Sequence, residues 1–109
     1  MTATVRTRVA IVGAGPAGLV LSHLLAGAGI ESVVVDQRTR EQIESTIRAG
    51  ILEQGTVELL DTIGEFSRAR TVGTRHDGIE LRFAGAGHRI DFAALGGRGV
   101  CLYPQHEVL

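Results

Sequence analysis

The stretch Val9-Ala10-Ile11-Val12-Gly13-Ala14-Gly15-Pro16-Ala17-Gly18 decides how this chain folds. A β-branched apolar run ends in a glycine-rich turn, so a strand is expected over residues 5–12 and a turn over 13–18. Pro16 suits a first helical turn, where its missing N–H does no harm. The spacing then predicts a helix over 17–28. Leu19, Val20, Leu21, Leu24 and Leu25 make that helix apolar around much of its circumference, as for a helix laid on a sheet. Gly29 suits a left-handed cap. Residues 32–36 follow as a second strand, and Val33-Val34-Val35 has the continuous apolar character of a buried parallel strand. Strand, helix and strand within about 30 residues imply a right-handed crossover. The fold class is α/β: a Rossmann-like βαβ unit with an added β-hairpin further on.

Gly13-x-Gly15-x-x-Gly18 is a weak signal alone, but here it follows a strand, opens a helix and is followed 18 positions later by an acid, Asp36. Gly13 permits the tight turn, Gly15 lets backbone approach a pyrophosphate, and Gly18 lets the helix pack close to the strand. The helix start presents unpaired N–H groups and a partial positive charge to phosphates. Asp36 can accept hydrogen bonds from a ribose 2′-hydroxyl and would repel a 2′-phosphate. FAD or NAD is therefore expected at this site rather than NADP.

The remainder is read outward from that unit. Residues 37–45 are polar, with room for a loop and a short helix. Residues 53–63 predict a helix with a stripe of Val57, Leu59, Leu60 and Ile63, ended by Gly64. Residues 78–83 alternate Ile79, Leu81 and Phe83 with Glu80 and Arg82, as a half-buried strand does. Residues 84–87 are turn material, 88–92 form the returning arm, and 100–103 make another apolar strand. Arg48-Ala49-Gly50-Ile51-Leu52-Glu53-Gln54-Gly55 reads as a loop before a helix, where Arg and Gly can meet a phosphate or a ring system. His76 lies in a polar segment before a strand. Cys101 is expected in the core, the sequence alone assigns no role to His23 or His88, and Gln105 follows a strand end, where open parallel sheets bind ligands.

Composition narrows the function classes. The chain has 109 residues, enough for one domain, and a net charge of −1 from 11 basic and 12 acidic residues. Near-neutrality gives no electrostatic reason to expect nucleic acid or an anionic membrane as partner. Every basic residue is Arg, so Schiff-base chemistry and a phosphate-loop lysine are excluded. A single cysteine excludes a disulfide framework and a multi-cysteine metal site, and no metal is expected. Gly and Pro interrupt each apolar stretch well short of the roughly 18 residues of a membrane span. The break at Gly13–Pro16 argues against a signal peptide, and the expected location is cytoplasmic.

Taken together, Gly13-Ala14-Gly15-Pro16-Ala17-Gly18, the run from Arg48 to Gly55, His76-Asp77-Gly78-Ile79-Glu80, Phe83-Ala84-Gly85 and Arg89-Ile90-Asp91 resemble the N-terminal part of the 4-hydroxybenzoate 3-monooxygenases, which are group A FAD-dependent aromatic hydroxylases. The likeness runs over nearly the whole chain, and the Arg48–Gly55 run is its most specific part. It implies that FAD binds through Gly13, Gly15, Pro16, Ala17 and Gly18, with Asp36 in the ribose role usually filled by Glu. It implies that Arg48, Ala49, Gly50 and Ile51 lie along the flavin side of the cofactor, that Arg48 lies near the nicotinamide donor, and that Gln105 contacts the flavin. His76 would stand at the solvent end of a relay that removes the substrate's phenolic proton. NAD(P)H is the implied co-substrate, and a small aromatic molecule the implied partner. Two departures bear on the donor: Thr46 stands where the family commonly has Arg, and Gln37, not Arg, follows the acid, with Arg38 next. NADH then becomes an acceptable reductant.

Members of that family are several times longer, so residues 1–109 are expected to be the N-terminal part of a FAD-binding domain in a truncated flavoprotein, with the substrate domain absent and the isolated chain inactive. An open sheet edge favours association, which leaves room for a homodimer in the full-length form. Two rival readings stay open from the residues alone: another Rossmann oxidoreductase using NAD(P) directly, and a short non-catalytic nucleotide-binding module.

Overall fold

A computed structural model describes residues 3–64, 67–104 and 107–108. The chain divides into two compact units, one over residues up to Arg48 and the other over Ala49–Pro104. In the first unit, strand β1 (Val9–Val12) pairs in parallel with β2 (Ser32–Val35), Val9 opposite Ser32 and Val12 opposite Val35. Helix α1 (Pro16–Gly27) connects them and packs on both strands. This is the βαβ unit that the glycine pattern predicts, with Pro16 in the first helical turn. Gly29 has φ +71°, and its N–H donates to the Ala26 carbonyl at 3.0 Å, closing the helix with the left-handed turn expected there. A short helix α2 (Arg40–Glu44) follows, held by a reciprocal capping box between Thr39 and Gln42.

Burial in this unit is thinner than the apolar runs suggest. Ile11 is buried, but Val12 is 88% and Val35 48% exposed, and Leu21 and Leu24 lie on the open side of α1. Two strands and one helix cover only one face of each element. The all-round apolar character of α1 and β2 therefore exceeds what this unit alone can bury.

The second unit holds a three-stranded antiparallel sheet in the order β3-β7-β4. Strand β7 (Val100–Leu102) is central, flanked by β3 (Ile51–Glu53) and β4 (Thr74–His76). Helix α3 (Gln54–Thr62) leaves β3 and packs against β3 and β7. Leu60 and Tyr103 are its buried apolar side chains. Val57 and Ile63 are half-buried with Leu60, whereas Leu59 is 39% exposed and lies off the expected stripe. Helix α4 (Ser67–Val72) precedes β4.

Three elements depart from the sequence expectation: β3 stands where a loop and the start of a helix are expected, and α4 and β4 where no regular structure is. A three-residue strand carries no readable period, and Thr74-Arg75-His76 has no apolar face. Pairing with β7 defines β3 and β4, and that is a tertiary fact.

The hairpin of β5 (Gly78–Phe83) and β6 (Ala86–Asp91) is regular from Gly78 opposite Asp91 to Phe83 opposite Ala86. Its turn is only Ala84-Gly85, with φ +50° and +75°. Two positive φ values in a two-residue loop match the twist of a hairpin, so the returning arm starts at Ala86, two residues earlier than expected. The expected half-burial of β5 is not found: Ile79, Leu81 and Phe83 are 46%, 46% and 59% exposed. His88 does have a partner, its ring stacking on Phe83 at 4.2 Å.

Candidate functional site

The mouth of α1 is built by three glycines with different surroundings. Gly13 has φ +115°, a conformation that favours glycine, and its N–H donates to the Val35 carbonyl at 2.7 Å. This continues the β1–β2 ladder into the turn. Gly18 lies against that turn: a Cβ there would sit 2.0 Å from the Gly13 carbonyl oxygen and 3.2 Å from Ile11 Cγ2. Its lack of a side chain is what lets α1 start so close to β1. Gly15 differs, because a Cβ there would meet no protein atom within 4 Å. Its φ of −81° and ψ of 180° are open to any residue, so the fold does not require glycine at this position.

The helix start is left open for an anion. No side chain caps it, no acidic residue lies in its first turn, and the Leu19 N–H to Gly15 carbonyl bond of 3.0 Å is the first intrahelical one. The first-turn N–H groups of Ala17 and Gly18 thus have no acceptor within the helix, and the helix dipole adds positive potential there. Free space over Gly15 beside such amides fits a diphosphate.

Asp36 leaves β2 beside this mouth, and its side chain is only 8% exposed. Oδ2 accepts from the Ala14 N–H at 2.9 Å, so the carboxylate faces the glycine-rich turn. The rest of its environment comes from Arg38. Oδ1 accepts from the Arg38 backbone N–H at 2.8 Å and from Nε at 3.0 Å, while Oδ2 accepts from Nη2 at 2.9 Å. The paired guanidinium, then the Ala14 and Arg38 amides, hold the Asp36 carboxyl well below the usual carboxylate range, and the Arg38 cation is reinforced in turn. The sequence reading missed this partnership, although a basic residue two positions after a strand-ending acid was a visible signal for it. It also alters the charge argument: Asp36 presents an ion pair to a ribose, not a lone negative charge.

Because the folded-state pKa of Asp36 is lowered, the stability it contributes is fully present above the unfolded value of about 4 and is lost as pH falls below that. Melting of the cofactor-free protein between pH 7 and pH 3 is expected to show an acid-side loss that Asp36→Asn reduces. Identical acid profiles in the two proteins would count against the clamp.

The other candidate residues are placed as follows. Arg48 is exposed at the end of the first unit. Ala49, Gly50 and Ile51 belong to the second unit, and Ile51 opens β3 at 60% exposure. The Arg48–Gly55 run is therefore not one loop before a helix, since strand β3 interrupts it. Gly50 accepts from the Tyr103 N–H at 2.8 Å, and a Cβ on it would lie 2.6 Å from the Tyr103 carbonyl oxygen, so this glycine is required for β3 to close on the chain after β7. His76 ends β4 opposite Val100 and is exposed. It lies in a strand, not in a segment before one. Its neighbour Asp77 pairs with Arg75 at 2.9 Å. Cys101 is half-buried in the central strand. Thr46 donates its hydroxyl to the Gln42 carbonyl at 2.7 Å, at the end of α2. Gln105 lies outside the described residues. Among those described, no helix is long and apolar enough to cross a membrane.

Comparison with known proteins identifies the family and the fold. A family model described as FAD binding domain matches residues 6–109. The p-hydroxybenzoate hydroxylase of Acinetobacter baylyi is 48% identical over 106 residues, which cover 96% of this chain and 26% of that protein. Among solved structures, p-nitrophenol 4-monooxygenase PnpA from Pseudomonas putida DLL-E4 superposes with a TM-score of 0.76 at 25% identity, over 92% of this chain and 26% of the other. The flavin-dependent monooxygenase PieE, solved in complex with FAD and substrate, superposes with a TM-score of 0.68 at 29% identity, over 95% of this chain and 21% of the other. The chain thus spans about a quarter of the length of the relatives it matches.

Proposed function

Because this chain belongs to the FAD binding domain family, we propose that residues 1–109 form the N-terminal part of the FAD-binding domain of a longer aromatic hydroxylase, one that converts 4-hydroxybenzoate to 3,4-dihydroxybenzoate with NAD(P)H and O₂. The match along nearly the whole chain to a p-hydroxybenzoate hydroxylase carries this reading. Bound FAD would supply the electron transfer and oxygen insertion. The protein's part is to bind, orient and move a proton. The amides at the start of α1 hold the diphosphate, with Gly13, Gly15, Pro16, Ala17 and Gly18 shaping the approach. Asp36 anchors the adenosine ribose. Arg48, Ala49, Gly50, Ile51 and Gln105 are assigned to the flavin side. His76, exposed at the end of β4, is assigned to the solvent end of the path that takes the phenolic proton, because an ionised phenol is the more nucleophilic ring. Thr46 and Gln37 leave the nicotinamide donor without two arginines, so NADH becomes an acceptable reductant beside NADPH. A single cysteine suits a reducing compartment, and the reaction is assigned to the cytoplasm.

The test uses the full-length protein purified with its flavin. NADH or NADPH oxidation is expected to accelerate on adding 4-hydroxybenzoate, with 3,4-dihydroxybenzoate formed in proportion. A flavin-loaded protein that answers to a different phenol, and not to this one, would overturn the substrate while leaving the family in place.

A further inference from the structure

The Asp36 carboxylate has no acceptor capacity left over. A carboxylate offers about four lone-pair sites, and here four N–H donors fill them: Ala14 N–H and Arg38 Nη2 on Oδ2, Arg38 N–H and Nε on Oδ1. The ribose role assigned above needs at least one of those sites for a hydroxyl. Two of the four donors are backbone amides. The Ala14 amide sits in the glycine-rich turn next to Gly13, which is itself tied to Val35, and the Arg38 amide closes a local turn on the Asp36 side chain. Removing either means rebuilding the turn that forms the cofactor site. The other two donors come from one side chain that is 36% exposed, and a guanidinium at that exposure regains water at little cost. The arginine side chain is the donor that yields.

We propose that Arg38 is a latch on the ribose anchor: its guanidinium holds the Asp36 carboxylate until the adenosine ribose of the incoming dinucleotide displaces it. Arg38 is on this account a positioning residue that sets cofactor affinity through Asp36 and need not touch the reacting atoms. The inference rests on the FAD reading and adds a competition to it. A latch that is closed most of the time lowers apparent affinity by the fraction of protein left open. The same pair steadies the cofactor-free protein. Removing the guanidinium therefore moves two measurable quantities in opposite directions, which loss of a merely structural contact does not do.

The experiment strips FAD from the full-length protein and titrates it back, following flavin fluorescence. Arg38→Ala is expected to bind FAD about three- to tenfold more tightly than the parent at low ionic strength, while the cofactor-free form melts at a lower temperature. The gap in affinity narrows as salt screens the pair in the parent. In an Asp36→Asn background, Arg38→Ala has no effect on FAD affinity, because the group it competes for is gone. Should Arg38→Ala fail to fold, Arg38→Gln is held to the same criterion. Affinity that is unchanged or weaker in these variants overturns the latch. A parent protein that binds no FAD overturns the cofactor reading itself, and the two failures are told apart by the parent titration alone.

Discussion

Gly15→Val is expected to strip FAD from the protein and leave the fold standing. No protein atom lies within 4 Å of the position its Cβ would take, and its backbone angles are ordinary for a residue with a side chain. The cofactor-free protein should therefore change in stability by no more than about 1 kcal/mol, partly offset by the lower freedom of valine in the unfolded chain. On the proposed reading, the space the new side chain fills is the space a diphosphate needs to reach the first-turn amides of α1. A loss of at least about 100-fold in FAD affinity, near 2.7 kcal/mol, is expected. Equilibrium titration with FAD and thermal melting of the stripped protein measure the two halves separately. Normal FAD retention by Gly15→Val would remove the diphosphate from this mouth. A collapsed fold would mean that Gly15 serves packing after all.

Gly18→Ala should fail in the opposite way, through the fold. The added methyl would sit 2.0 Å from the Gly13 carbonyl oxygen, and that oxygen belongs to backbone, not to a side chain that can swing away. Ile11 Cγ2, on the buried residue of β1, is 3.2 Å away on another side. Alanine gains about 1 kcal/mol over glycine within a helix. Forcing α1 off β1 costs more, at the upper end of the about 1–3 kcal/mol typical of overpacked cores, because the clash is with backbone. A fall in melting temperature of roughly 5–10 °C is expected, and FAD loss follows because the turn that carries Ala14 and Gly15 moves with the helix. A Gly18→Ala protein as stable as its parent would show that the tight start of α1 is not needed.

The contrast between these two glycines marks how far the sequence could be read. Spacing alone marks both as special; the packing at Gly18 agrees with the close helix–strand approach expected there, while the FAD titration of Gly15→Val tests the job expected of Gly15. The βαβ unit was legible because its signals are local and redundant: a β-branched run, a glycine turn, Pro16 in the first helical turn, Gly29 at the cap. The hairpin was legible through alternation, with its turn misplaced only because Ala84, with its φ of +50°, gives no sign of positive φ in the sequence. The three-stranded sheet of the second unit was far less legible. It is assembled from three-residue strands, and β4 has no apolar residue at all.

What the sequence determined by itself is the βαβ unit and the acid that ends its second strand, because periodicity, glycine spacing and the position of Asp36 act within some 30 residues of chain. What only the tertiary structure decided is who touches whom. Tyr103 reaches Gly50 from across the second unit, β7 turns Thr74–His76 into a strand, and Arg38 folds back to fill the Asp36 carboxylate. The physical reason is common to all three. A propensity is a property of neighbours along the chain, whereas a saturated acceptor or a sheet edge exists only once donors distant or folded back in space have been brought to it.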